Sequence, residues 1–216
     1  MTKHRHMLAR ALALTLILGG TLLWAAWHQA ESIQALPSSY IKLNQHGEAM
    51  ADWAGPWACV LDRETGLLWE VKNDGEDIHD AYWTYSWFNG EVGQANGGDC
   101  YFEKDRCDTL DLIRRTNQQA LCGVSRWRLP TRGELQSLIE AHARPGQAKI
   151  AAAYFPHTKK GDYWTSEGEQ ALGGHYQRLK EGAFAVSFLD GRASVLPYRN
   201  AAFVRLVAEA SGSNVR

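Results

Sequence analysis

The residues of this chain whose types and spacing could do chemistry are few. The most sharply patterned stretch is WRLPTRGELQSLI, from Trp127 to Ile139. With Arg126 just before it, this stretch supplies Arg126, Arg128 and Arg132, whose guanidinium forks match sulfate or carboxylate groups such as those of an acidic glycan. Arginines also commonly pair with nearby surface acids. Glu134 could serve as an acid, but it stands three residues after Thr131. That Thr-x-x-Glu spacing is a capping box, in which each side chain satisfies an orphan amide of a helix start. A structural role for Glu134 is complete without catalysis.

Hydrolytic machinery is not evident. His79, His142, His157 and His175 are scattered, and no serine sits in a Gly-x-Ser-x-Gly elbow. His4 and His6 lie in the basic leader. The acidic run KNDGEDIHD, from Lys72, has a central Gly75 but lacks the alternate-ligand pattern of an EF-hand loop. Neither Glu-Pro-Asn nor Gln-Pro-Asp occurs. The four cysteines contain no Cys-x-x-Cys pair, so zinc is not indicated. We expect no catalytic residue, no metal and no cofactor.

Binding remains. The stretch DAYWTYSWFNGEVGQANGGD, from Asp80, mixes aromatics with amides and glycines, which suits stacking against a sugar ring or a protein partner. Trp87, Asn89 and Asn96, together with Arg126, Arg128 and Arg132, are the candidate ligand-binding residues. Alternation in a strand would nevertheless turn Trp83, Tyr85 and Trp87 toward a core and leave the segment beyond Asn89 at the surface.

The elements that would position these groups follow from local pattern. Asp108 is placed to cap a helix over Thr109 to Leu121, with Leu110, Ile113, Asn117, Ala120 and Leu121 on one face and Gly123 as the stop. Thr131 caps a second helix whose stripe is Leu135, Leu138, Ile139 and His142, ended by Pro145-Gly146. TGLLWEV reads as an early strand. Phe184, Val186 and Phe188 alternate before Asp190-Gly191, a two-residue hairpin turn, and AFVRLVAE supplies a last strand with Phe203. Two helices and short antiparallel strands make an α+β domain.

The chain has 216 residues and a net charge of −1, so no basic excess exists to neutralise phosphates, which argues against general nucleic-acid binding. Nine tryptophans and eight tyrosines supply either core area or stacking surface. Lys3, Arg5 and Arg10 precede an uncharged run from Ala11 to Trp27. At helical rise this run reaches roughly 26 Å, and Leu8 and Ala9 extend it if Arg10 snorkels. The near-side charges place the N-terminus in the cytoplasm. The expected organisation is a leader over 1–10, a transmembrane anchor over 11–28, a linker over 29–51, a domain over 52–207 and a tail over 208–216. A cleaved signal peptide is the alternative, favoured by Gly19-Gly20. Either way the domain is exported. In an oxidising compartment an even count of cysteines reads as disulfides. Four cysteines allow three connectivities, and sequence does not choose between them. The short polar loop between Cys100 and Cys107 favours a local bridge, with a longer one from Cys59 to Cys122.

These residues resemble the Lcl C-terminal domain family of bacterial exported domains. The matching pieces are, in order, DRETGLLWEVK, YWTYSWFN, LCGVSRWRLPTRGELQSLI, YFP, YWTS, AVSFLDGR and FVRLV. The resemblance implies a C-type-lectin-like fold, trimeric assembly and adhesion through sulfated glycans, although no collagen-like repeat precedes the domain here. The expectation is a single-pass inner-membrane protein with its domain on the periplasmic side, or a secreted one. Its partners would be a glycan or an envelope protein, plus the membrane through the N-terminal helix, with oligomerisation left open. It would act as a non-catalytic binding module, or alternatively as an assembly subunit of an envelope complex.

Overall fold

The computed structural model describes residues 39–100 and 106–210. The leader, the apolar run, the linker up to residue 38 and the tail beyond residue 210 lie outside the described residues. Among the described residues no helix is long and apolar enough to cross a membrane.

The described domain is α+β with two antiparallel sheets. The first contains β1 (Tyr40–Leu43), β2 (Cys59–Asp62), β3 (Leu67–Glu70) and β8 (Val207–Glu209), in the order β1-β2-β3-β8. The second is built on β6 (Glu181–Ser187), which pairs with β4 (Asp162–Trp164), β5 (Gln170–Ala171) and β7 (Ala193–Pro197). Two α-helices are described: α1 (Thr109–Gln119) and α2 (Arg132–Ser137).

The central strands β2, β3 and β6 are buried on both faces along most of their length. Successive side chains of a strand point to opposite sides, and both sides are apolar. Cys59 and Leu61 of β2, Leu68 of β3, Trp164 of β4, Ala183 and Ala185 of β6 and Ala208 of β8 enter one core cluster. Val60, Trp69, Tyr163, Val186 and Val207, their alternate neighbours, enter a second. Two cores in one small domain absorb most of the large aromatics: Trp69, Trp127 and Trp164 are buried. Neighbouring irregular segments are held by the ring N–H donors of Trp164, Trp87 and Trp127, as buried indoles usually find an acceptor, whereas Trp69 Nε1 has none among the described residues. Trp164 Nε1 donates to the Tyr85 carbonyl at 2.6 Å, Trp87 Nε1 to Thr165 O at 2.8 Å, and Trp127 Nε1 to Leu121 O at 3.1 Å.

Several sequence expectations are corrected. The segment expected to be linker contains β1, because Tyr40–Leu43 covers the edge of β2 residue for residue. Helix α1 starts where Asp108 caps it, its side chain accepting from Asp111 N, but Ala120 ends it in the left-handed region (φ 49°) before Gly123. Its buried residues are Thr109, Leu112 and Thr116, one position away from the expected stripe. Helix α2 ends at Ser137, far short of Pro145-Gly146, and His142 is exposed. The segment around Trp83 is not a strand but a series of isolated bridges, such as Thr84 with Asp99 and Tyr85 with Ala202. The hairpin loop is longer than Asp190-Gly191. Ser187 N donates to Arg192 O at 2.8 Å, leaving Phe188 to Gly191 between them, because Phe188 turns into the core. Phe203 precedes the last strand and meets Tyr163 in a bridge.

Two disulfides join Cys59 to Cys122 and Cys100 to Cys107, the pairing that loop length favoured. The first ties β2 to the turn after α1.

Candidate functional site

The arginine-rich stretch resolves into a helix start braced by an ion pair. Thr131 Oγ1 accepts from Glu134 N at 3.2 Å and Glu134 Oε2 accepts from Thr131 N at 2.7 Å, so both halves of the capping box form. Arg128 grips the same carboxylate in a fork, Nη1 and Nη2 each at 2.8 Å, and Nη2 also reaches Glu209 at 2.7 Å. Hydrogen bonds from Arg128 hold the Glu134 and Glu209 carboxyls below the usual range. A guanidinium that faces two carboxylates has little left for sulfate. Thr131→Ala removes one arm of the box, and we expect a loss of about 1 kcal/mol in the denaturant midpoint analysis, with the fold unchanged.

A buried charge centre lies beneath the first sheet. Glu70, at the end of β3, is fully buried. Its Oε1 accepts from Lys72 Nζ and is paired with His79 Nδ1, each at 2.7 Å, and its Oε2 accepts from Leu206 N at 2.9 Å. Arg205, equally buried, donates to the Glu70 carbonyl and, at 2.8 Å, to Thr158 Oγ1. Its guanidinium also lies 4.9 Å from the Phe155 ring centre. The second nitrogen of His79 is 2.9 Å from Gln119 Oε1 on α1. Burial works against the Glu70 charge, but Lys72 and the His79 hydrogen bond outweigh it and hold the carboxyl down at about 2. The centre joins β3, the entry to β8, α1 and the acidic loop. Glu70, Lys72, His79 and Arg205 are buried in it, while Gln119 on α1 is exposed at its outer end. Sequence reasoning missed it. Its only local trace is a charged residue inside each of two apolar runs, TGLLWEV and FVRLV.

The acidic loop from Asn73 to Asp80 is organised from within. Asn73 Nδ2 donates to both Asp77 oxygens, at 3.1 and 3.0 Å, and Asp77 Oδ1 accepts from His79 N at 2.7 Å. Asp80 accepts from Glu76 N at 2.9 Å and Tyr82 N at 2.7 Å. The carboxylates therefore serve backbone amides, as Asx turns do. Among the described residues no group of His, Cys, Asp or Glu is arranged to hold a metal ion.

Against this loop opens a small, shallow cleft of about 70 Å³, lined by Glu76, Asp77, Ile78, Trp83, Tyr85, Cys100 and Arg115. Trp83 is fixed in it by its Nε1, which donates to Asp77 O at 2.7 Å, and Tyr85 by its hydroxyl, which donates to Ile78 O at 3.2 Å. His79, next to Ile78, anchors the loop to Glu70 from behind. The lining offers two carboxylates, a guanidinium and aromatic rings, and its described side chains include no nucleophile beside a base. Such a surface can hold a polar ligand that has a stackable face.

None of the six sequence-predicted residues lines this cleft. Trp87 is 2% exposed, stacked on Tyr198 at 5.1 Å. Gly168 packs so close that an added Cβ would lie 2.3 Å from the Trp87 ring. It is therefore core, as the alternation argument required, and outside a ligand's reach. Asn89 is exposed, but its side-chain oxygen accepts from Glu91 N at 2.9 Å and Val92 N at 2.7 Å, a turn role. Asn96 is exposed in the left-handed region, with φ 54°. Arg132 lies 4.5 Å over the Phe184 ring, and Arg126 is exposed. Of the two aromatics that line the cleft, Tyr85 is buried as alternation assigned it, but Trp83 was assigned by the same alternation to the core. The irregular backbone leaves it half-buried instead.

The model of the Lcl C-terminal domain family matches residues 58–208. No curated protein and no solved structure matches the chain.

Proposed function

We infer the function of this chain from one premise: it belongs to the Lcl C-terminal domain family, whose function is not established. We propose that its domain is C-type-lectin-like and acts outside the cytoplasm at the bacterial envelope as a non-catalytic module that binds a glycan. The N-terminal apolar run would hold it at the inner membrane, or be cleaved to release it. Two disulfides and no free cysteine favour an oxidising compartment.

The observation that carries the binding reading is the cleft. Half-buried Trp83 offers ring surface for the C–H face of a sugar, and Glu76, Asp77 and Arg115 offer hydroxyl partners of both signs. Two carboxylates against one guanidinium disfavour a sulfated ligand there, so the expected ligand is a neutral or amino sugar. A glycan array probed with the full chain in detergent tests this. Binding confined to neutral or amino sugars, and weakened on the order of tenfold by Trp83→Ala, is the expected result. An array without signal in any glycan class sinks the reading.

A role in an envelope assembly is the second reading. It is favoured by Tyr176 and Leu179, exposed by 43% and 42% on the short helical turn Gly174–Leu179. Crosslinking in intact cells that captures no partner protein removes it.

A further inference from the structure

The most exposed aromatic of the described residues is Trp53, at 91%. It is not isolated. The Asp52 carbonyl beside it accepts from Lys42 Nζ at 2.7 Å. The same ammonium sits 3.7 Å from the Trp57 ring centre and 5.7 Å from that of Tyr154. Trp57 Nε1 donates to Tyr154 O at 2.8 Å, and the Tyr154 ring is 5.2 Å from that of Tyr40. Trp57, Tyr154 and Tyr40 therefore form one half-buried aromatic apron around Lys42, and Trp53, next in the chain to the Asp52 that holds this lysine, stands exposed beside it.

We propose that this apron rests in the headgroup zone of a phospholipid bilayer, with Trp53 as the side chain that enters it. Indole and phenol rings with one apolar body and one polar tip partition to that zone. Where the chain enters the domain selects lipid over other occupants. Tyr40 is the first residue of β1, and the apolar run ends at Trp27. Twelve residues separate them, so even a fully extended chain keeps the start of β1 within roughly 45 Å of the end of the run. If that run is an anchor, the bilayer it enters is the surface within reach of the domain. The proposal thus rests on the anchor reading of the N-terminal run.

Charge does not select the lipid. Tyr40 is pushed up to about 12, by burial first and then by Asp62, Glu140 and Glu64, so carboxylates flank the apron. Lys42 is already engaged by a carbonyl and a ring. Docking on zwitterionic lipid, insensitive to salt, is what this chemistry favours.

The test uses the full chain reconstituted in phosphatidylcholine vesicles. No free cysteine is present, so Ala51→Cys, at an exposed position two residues before Trp53, accepts a single environment-sensitive NBD fluorophore. The expected result is quenching of the fluorophore by doxyl-labelled lipid, unchanged by high salt and lost in Trp53→Asp. Trp53 is almost fully exposed, so that substitution leaves the fold intact. A chain that floats with the vesicles but shows no quenching overturns the docking and spares the anchor. Failure to float overturns both. A blue-shifted but unquenched fluorophore means that protein, either a second copy or the N-terminal segment, covers the apron, and it overturns the proposal. Quenching that survives Trp53→Asp does the same.

Discussion

Glu70→Gln is expected to destabilise the domain by about 3–5 kcal/mol, the range for removing one partner of a buried ion pair. The amide keeps the size of the side chain and can still accept from Leu206 N, so no cavity explains the loss. What disappears is the charge that faces Lys72 and His79 at 2.7 Å in a fully buried setting. Burial and Arg205 already push the Lys72 amine down, with Glu70 and then Asp77 opposing them, so the variant removes the main group that supports the Lys72 charge. Lys72→Met in the same background removes the orphaned amine, and the double variant should recover much of the loss. A double-mutant cycle from denaturant unfolding measures that coupling. Single-variant losses that simply add would show that the pair is not coupled.

The same residue sets an acid limit. The folded-state pKa of Glu70 is held at about 2, below its ordinary 4.5. A depressed carboxylate contributes stability that is fully present above the unfolded value and is lost as pH falls through the folded one. The contribution should therefore fade as pH drops from about 4.5 to about 2, on the order of 3 kcal/mol in all. Unfolding free energies measured across that window should fall more steeply for the natural chain than for Glu70→Gln. Parallel curves would mean that other carboxylates set the acid limit.

The second large effect is expected from the long disulfide. Cys59 and Cys122 are 63 residues apart in sequence, Cys100 and Cys107 only 7. Loop-closure entropy grows with the logarithm of the closed loop, so paired alanine substitutions should cost about 4 kcal/mol at the first bridge and about 2 at the second. The long bridge also joins β2 to the turn after α1, contacts that otherwise depend on packing alone. Denaturant unfolding of the two double-alanine variants, with the slopes compared, tests the order. Equal losses would mean that native packing, not chain entropy, dominates both.

How much was legible in the sequence depended on how local each cause was. Both helix starts were readable because a cap satisfies amides within a turn of itself: Asp108 and Thr131 do so whatever lies beyond them. Helix ends were not. Ala120 leaves the helix in a left-handed conformation and Ser137 ends α2 with Pro145 still eight residues away, both decided by where the following chain must pack. The six candidate ligand residues were chosen by residue type, which reports what a side chain can bind but not what already occupies it. Arg128 was taken by Glu134 and Glu209, Trp87 by the core, and Asn89 by its own turn. Trp83 was assigned to the core by a strand periodicity that the backbone does not follow.

By itself, then, the sequence determined the family, the α+β class and the capping signals, and it favoured by loop length the disulfide pairing that the structure settled. All of these rest on short-range spacing or on an ordered run of motifs. Only the tertiary structure decided that the central strands bury both faces, that Glu70 and Arg205 share one buried centre, and that Trp83 meets Arg115 across a cleft. These are meetings of residues far apart in the chain. Burial and partnership are properties of the folded neighbourhood, and no local pattern specifies which distant segment supplies it.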